Sequence, residues 1–217
     1  VTDAVRKVLR FHFNRMLEHE EGTRQGRDPE EVHDMRVATR RMRSVFSLFG
    51  PYLTGAQAVA CRDGLRRLGQ LLGAVRDMDV ALGKLREYVD ALPPLQRREL
   101  APLFSAWRAR RRVARQRLIG YLSSLSYRRF AQGFETMIES CRDSSLGVET
   151  RQNVAVMAPR YLHVRWQVVK AYGTILDDAP IELLHALRID AKRLRYTLEF
   201  FADILPAEAV SLIPEEI

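Results

Sequence analysis

With 217 residues, 47% hydrophobic and 29% charged, the chain has the make-up of an ordinary globular protein of one large or two small domains, which excludes a disordered or fibrous one. Its 35 Lys and Arg outnumber 27 Asp and Glu, a net charge of +8 that attracts acidic partners. Only Lys7, Lys84, Lys170 and Lys192 are lysines; the arginine fork matches phosphate oxygens bidentately, although a G+C-rich genome would also raise arginine. No apolar run approaches the roughly 18 residues of a membrane span, and no signal-peptide core opens the chain. Cys61 and Cys141 have no metal or redox spacing and read as reduced thiols of a cytoplasmic protein. A chain opening on Val1 rather than Met is expected to be a fragment or one domain of something longer.

The periodicity is helical almost throughout. A first helix is expected from about Asp3 to Glu21, ended by Gly22 and the polar loop Thr23–Asp28. Asp28-Pro29 reads as an N-cap followed by proline in the first turn, opening a helix that runs to Phe49 and stops at Gly50-Pro51. Two helices should follow, about Ala56–Leu72 and Asp77–Leu92, with Asp77 as the N-cap of the second. Pro93-Pro94 breaks the chain before a long helix through Leu122, and another runs from about Tyr127 to Cys141. Arg142–Glu149 is the best linker candidate, dividing a first repeat, residues 1–142, from a second, residues 150–217. A helix from about Pro159 to Leu176 and another to about Leu205 complete the reading.

That last helix repeats the one that follows Pro29. Val32-His33-Asp34-Met35-Arg36-Val37-Ala38-Thr39-Arg40-Arg41-Met42-Arg43 returns as Leu184-His185-Ala186-Leu187-Arg188-Ile189-Asp190-Ala191-Lys192-Arg193-Leu194-Arg195. The histidine and four cations stay in register, as do the apolar pairs Val32/Leu184, Met35/Leu187, Val37/Ile189, Met42/Leu194 and Phe49/Phe201. The first copy continues into Arg62–Leu85, which has no counterpart before Ile217, so the second repeat is expected to be incomplete.

At about 100° per residue, His33, Arg36, Arg40 and Arg43 fall within an arc of roughly 80°, opposite Met35, Ala38, Met42, Val45, Phe46 and Phe49. His185, Arg188, Lys192 and Arg195 repeat the stripe opposite Leu187, Leu194, Leu198 and Phe201. A charge ladder on such a helix is commonly a solvated face. Here few acids lie among the cations, only Asp34 and Asp190, which leaves repulsion largely uncompensated. Turns about 5.4 Å apart suit a chain of phosphates better than one small ligand, and a histidine donates a hydrogen bond to phosphate, more strongly when protonated. The duplication thus points to two half-sites for a polyanion.

These motifs, with the segment Leu72-Gly73-Ala74-Val75-Arg76-Asp77-Met78-Asp79-Val80, resemble the CHAD family, the histidine-containing α-helical domains, from near the start of the chain to about Leu205. The resemblance implies an all-α fold of two helical bundles related by a pseudo-two-fold repeat, with a basic groove or pore between them. It also implies binding of inorganic polyphosphate, often beside a fused or associated polyphosphate-processing domain or at polyphosphate granules. Matching positions give His33, Arg36, Arg40, Arg43, His185, Arg188, Lys192 and Arg195 as ligand-facing, with Arg41 and Arg193 off the main stripe.

Arg62 and Arg66 could extend the basic wall or be plain surface charge, and Arg6, Arg10, Arg15, Arg160, Arg165 and Lys170 are further candidates for its lining. Asp77-x-Asp79 is a weak metal pair, Arg108–Arg117 a basic face read as solvated, and His12, His19 and His163 stand alone as packing or surface residues. Trp107 and Trp166 read as core or interface aromatics. No catalytic constellation, cofactor loop or metal cluster is recognisable, so non-enzymatic binding of polyphosphate or another phosphate polyanion leads. Nucleic-acid binding is the second reading, weakened by the lack of base-reading side chains and interleaved aromatics. A histidine-based metal-binding or phosphoacceptor domain is the third.

Overall fold

The computed structural model describes residues 2–50, 53–140, 154–176 and 179–201, and every regular element among them is helical. The fold is all-α. Helices α1 (Thr2–Glu18), α2 (Glu20–Gln25), α3 (Pro29–Phe49), α4 (Ala56–Asp90), α5 (Pro94–Glu99), α6 (Ala101–Leu122) and α7 (Leu125–Ser140) precede α8 (Val154–Ala171), a single 3-10 turn at Tyr172–Thr174, and α9 (Ile181–Phe200). The chain divides into two compact units, Val5–Ser144 and Val1–Ala4 with Ser145–Ile217. The expected linker Arg142–Glu149, Cys141 and the end of the last helix beyond Phe201 lie outside the described residues.

In the larger unit α3 starts as its sequence dictates. The Asp28 carboxylate accepts the Glu30 N–H at 2.9 Å, and Pro29 occupies the first turn, where no intrahelical N–H is lost. All six apolar wheel positions, Met35, Ala38, Met42, Val45, Phe46 and Phe49, are buried. α3 packs on α4, and the pairing is antiparallel: Arg76 of α4 reaches Glu30 at 2.9 Å, while Arg43 lies beside Gly69. On other sides of α4, α6 and α7 run in series. Arg111 of α6 pairs with Asp79, Arg67 stacks on Tyr121, Phe130 of α7 lies against Gly64, and Gln57 donates to the Gly133 carbonyl at 3.0 Å. Phe13 of α1 stacks on Phe134 of α7, which also meets Phe46 and Phe130.

Four sequence expectations need correction. The supposed break before Asp77 does not exist, and Asp77 caps nothing; α4 is one helix of 35 residues. Its apolar stripe, Leu65, Leu68, Leu72, Val75, Leu82 and Leu85, passes straight through, while Gly73 sits under the Arg36 side chain instead of ending a helix. Gly22 likewise does not end α1, because it lies inside α2 beneath the Glu31 side chain; the left-handed residue that stops α2 is Gly26, at φ 65°. Thr23, assigned to a polar loop, is buried there. Arg24 ties that turn to Glu20, to the Leu122 carbonyl at 2.6 Å and to Ser123, and Tyr127 donates to Glu20 at 2.6 Å.

The long helix through Leu122 is two. Pro102 is tolerated only in a first turn, so the chain restarts at Ala101 after the short α5. Finally, α8 starts at Val154 rather than Pro159, which sits inside it at the loss of one backbone hydrogen bond, and the helix gives way to the 3-10 turn at Tyr172 rather than running to Leu176.

Two glycines of α4 provide a stability test. A Cβ at Gly64 would overlap the Phe130 ring, whereas one at Gly83 meets nothing within 4 Å. Gly64→Ala is expected to destabilise by about 1–3 kcal/mol through overpacking, and Gly83→Ala to stabilise by about 0.5–1 kcal/mol. Urea midpoints of the two variants check the opposite signs.

Candidate functional site

The antiparallel register of α3 and α4 gathers the first motif's cations. Gly69 and Gly73 stand one turn apart on α4. A Cβ at Gly69 would sit 3.3 Å from Nη1 of Arg43, and one at Gly73 would sit 3.5 Å from Nε of Arg36. The two glycines thus form a shallow bed in which guanidiniums of α3 lie. Burial, then the charges of Arg66 and Arg36, push the Arg43 guanidinium below its ordinary value, so Arg36, Arg43 and Arg66 act electrostatically as one cluster. Among the described residues none of the three has an acidic partner within 4 Å. The Arg36 Nε is buried and makes no hydrogen bond. His33 and Arg40 are half-buried on the same helix, where Ser44 donates to the Arg40 carbonyl at 3.2 Å.

The second motif lies on α9, in the smaller unit, where α9 packs on α8. His185 and Arg188 are exposed and Lys192 and Arg195 half-buried. Arg195 pairs with Glu199 at 3.7 Å and lies over the Tyr196 ring. Arg193 donates to Asp190 at 2.8 Å, and Asp190 also accepts the Tyr172 hydroxyl at 2.9 Å. Asp190 therefore ties the preceding turn to α9 and engages Arg193 one turn along the same helix. Of the apolar matches between the motifs, Phe49 and Phe201 agree in full burial. Leu184 and Ile189 are exposed where Val32 and Val37 are buried and half-buried. Arg165 on α8 is half-buried, Arg160 and Lys170 are exposed.

Several residues do other work than the sequence implied. Arg10 faces Glu135 and Glu139 of α7, and Arg15 pairs with Glu18, so neither is an uncommitted cation. His19 is not alone: its Nδ1 lies 2.8 Å from Glu31 and its Nε2 3.8 Å from Asp34, which joins the end of α1 to the motif helix. Asp79 pairs with Arg111, and no group of three or more His, Cys, Asp or Glu that could hold a metal ion occurs among the described residues. Arg111 and Arg115 of the basic α6 run point inward, Arg115 donating to the Arg24 carbonyl at 2.6 Å; Arg108, Arg110, Arg112 and Arg117 are exposed. Trp166 is half exposed rather than in a core, Trp107 is half-buried, and Cys61 is buried. No helix of the described residues is long and apolar enough to cross a membrane.

The family model for the CHAD domain matches residues 7–215. The chain belongs to the CHAD domain family. The crystal structure of a CHAD domain from the plant Ricinus communis is similar to it, with a TM-score of 0.76 and 26% identity over 93% of this chain and 65% of that one. PptA from Streptomyces chartreusis shares the fold at a TM-score of 0.70 and 13% identity, over 97% of this chain and 78% of that one. Two uncharacterized proteins of Mycobacterium tuberculosis, from strains CDC 1551 and H37Rv, are each 29% identical over 171 residues, 77% of this chain. The chain spans about a third of the length of these curated relatives, 33%.

Within the CHAD fold, sequence reasoning overlooked the glycine bed, although its signal was present. Two glycines one turn apart inside a helix each cost about 1 kcal/mol relative to alanine unless something needs the space. It read His12, on α1, only as a packing or surface residue. Burial first, then the charges of Arg41 and Arg15, lower this imidazole from 6.5 to about 4. Arg41 thus belongs electrostatically to His12 on α1, away from the Arg36–Arg43–Arg66 cluster. Between those pH values the unfolded chain takes up a proton that the folded chain refuses, so stability falls as pH drops from about 6.5 towards 4. His12→Gln should remove this part of the loss, seen as a smaller difference between melting temperatures at pH 7 and pH 5 than in the parent chain.

Proposed function

We propose that this CHAD domain binds inorganic polyphosphate through the basic surface of α3 and α4 and performs no chemistry on it. CHAD domains are associated with poly- and triphosphate binding in general. The observation that carries the reading here is the cluster of Arg36, Arg43 and Arg66 without acidic partners. Gathering three like charges costs free energy that a phosphate polyanion recovers, and each guanidinium offers phosphate two parallel donors. His33 adds a hydrogen-bond donor on the same stripe. The ladder on α9, with His185, Arg188, Lys192 and Arg195, supplies a second set of cations for the same class of ligand.

Guanidiniums hold and neutralise phosphate oxygens, but they neither attack nor exchange protons at neutral pH. The expectation of binding without turnover rests on the arginines of this lining. The reading also implies a place in the cytoplasm where polyphosphate accumulates, at granules, or beside a polyphosphate-processing domain.

Calorimetric titration with long-chain polyphosphate and with a DNA duplex at matched salt tests this. Polyphosphate should bind more tightly than DNA, with affinity falling steeply as salt rises. Replacing Arg36, Arg43 and Arg66 together by alanine should flatten the slope of log affinity against log salt by about 2, at about 0.7 per lost phosphate contact by analogy with single-stranded nucleic acid. Arg193→Ala should change affinity less than Arg188→Ala, because Asp190 already engages Arg193. DNA binding as tight as polyphosphate binding, or an unchanged salt slope, refutes the reading; phosphate release on incubation refutes the absence of chemistry.

A further inference from the structure

A second concavity lies in the larger unit, on a different side of α4 from the arginine cluster. It is a cleft of about 350 Å³ lined by α4, α6 and α7, at the lower end of the range of small-molecule sites, about 300–1,000 Å³. Its floor is apolar and buried: Cys61, Tyr121 and Phe130. Gly133 of α7 is among its lining, and a Cβ there would meet nothing within 4 Å. Packing explains Gly64, against which the Phe130 ring lies, but nothing packs on Gly133, so its missing side chain leaves open space. Gln57 closes one end by donating to the Gly133 carbonyl.

The mouth carries Arg67, Arg129 and Asp63, all exposed. Arg67 lies over the Tyr121 ring at 4.9 Å, which holds its guanidinium at the edge of the apolar floor. Among the described residues neither Arg67 nor Arg129 has an acidic partner within 4 Å. Burial raises the Tyr121 hydroxyl above its ordinary value, with Arg67 opposing, so it is a neutral hydrogen-bonding group at physiological pH. Residues 66 and 67 point about 100° apart on the helix, which separates this mouth from the Arg36–Arg43–Arg66 surface.

We infer that this cleft binds a small amphipathic anion, an apolar ring bearing a single phosphate or carboxylate, with the ring on Cys61 and Phe130 beside Tyr121 and the anion between Arg67 and Arg129. A polyphosphate chain does not fit this lining, because it would press charge onto an apolar floor. The inference is independent of the polyphosphate reading, since no residue is shared between the two sites.

Saturation-transfer NMR on the full chain tests it, with phenyl phosphate and benzoate as probes, benzyl alcohol as the neutral analogue, and circular dichroism to verify folding. The anionic probes should bind saturably and more tightly than benzyl alcohol, and long-chain polyphosphate should not displace them. Gly133→Leu fills the cleft and should abolish binding while leaving polyphosphate affinity unchanged. Arg129→Ala, on an exposed position that the fold tolerates, should weaken the anionic probes about tenfold and leave benzyl alcohol unaffected. Absence of binding by the parent chain, equal binding of benzyl alcohol, displacement by polyphosphate, or full binding by a folded Gly133→Leu or Arg129→Ala chain each overturns the inference.

Discussion

The antiparallel packing of α3 on α4 serves stability and chemistry at once, and the larger unit is organised around it. One face of α3 buries Met35, Met42 and Phe49, and one stripe of α4 buries Leu65, Leu68 and Leu72. Beside this apolar seam the register places Arg36 and Arg43 over Gly73 and Gly69, with Arg66 close by. A slip of one turn would leave only one of these guanidiniums over a glycine and set the other against a residue with a side chain. One end of the register is held by Arg76 on Glu30, while Arg111 on Asp79 attaches α6 to the same helix.

The cost of this arrangement is concentrated where a ligand would meet it. Two helical glycines, three neighbouring guanidiniums and a buried Arg36 Nε all oppose stability locally. Elsewhere the same unit neutralises several of its charges: Arg10 with Glu135 and Glu139, Arg24 with Glu20, His19 with Glu31 and Asp34. Violation of local rules at one place and observance around it is the pattern expected of a functional site. His12 is a second strained point, kept neutral between Arg41 and Arg15 by burial and like charge.

Much of the first motif was legible because it rests on periodicity. The wheel separated the buried face of α3 from its cations correctly at all six apolar positions, and Asp28-Pro29 marked its start. Glycine and aspartate misled wherever a neighbouring element decides their role. Gly22 and Gly73 read as breaks, yet Glu31 and Arg36 occupy the space beside them. The second motif shows the same limit. Its apolar residues match those of α3 in type, but Leu184 and Ile189 are exposed, because burial depends on what packs against a helix and α9 packs on α8 rather than on a helix like α4.

The sequence by itself determined the helical class, the duplicated ladder and the sign and type of its charges, since these follow from the 3.6-residue period and from side-chain chemistry alone. Tertiary structure decided which cations stand together. Arg36, Arg43 and Arg66 converge although Arg66 lies on another helix, whereas Arg10 and Arg111, equally basic in the chain, are committed to Glu135 and Asp79. The physical reason is that a cation's partners come from across a helix interface, set by register and by the space two glycines leave. A helical wheel drawn for one element contains neither.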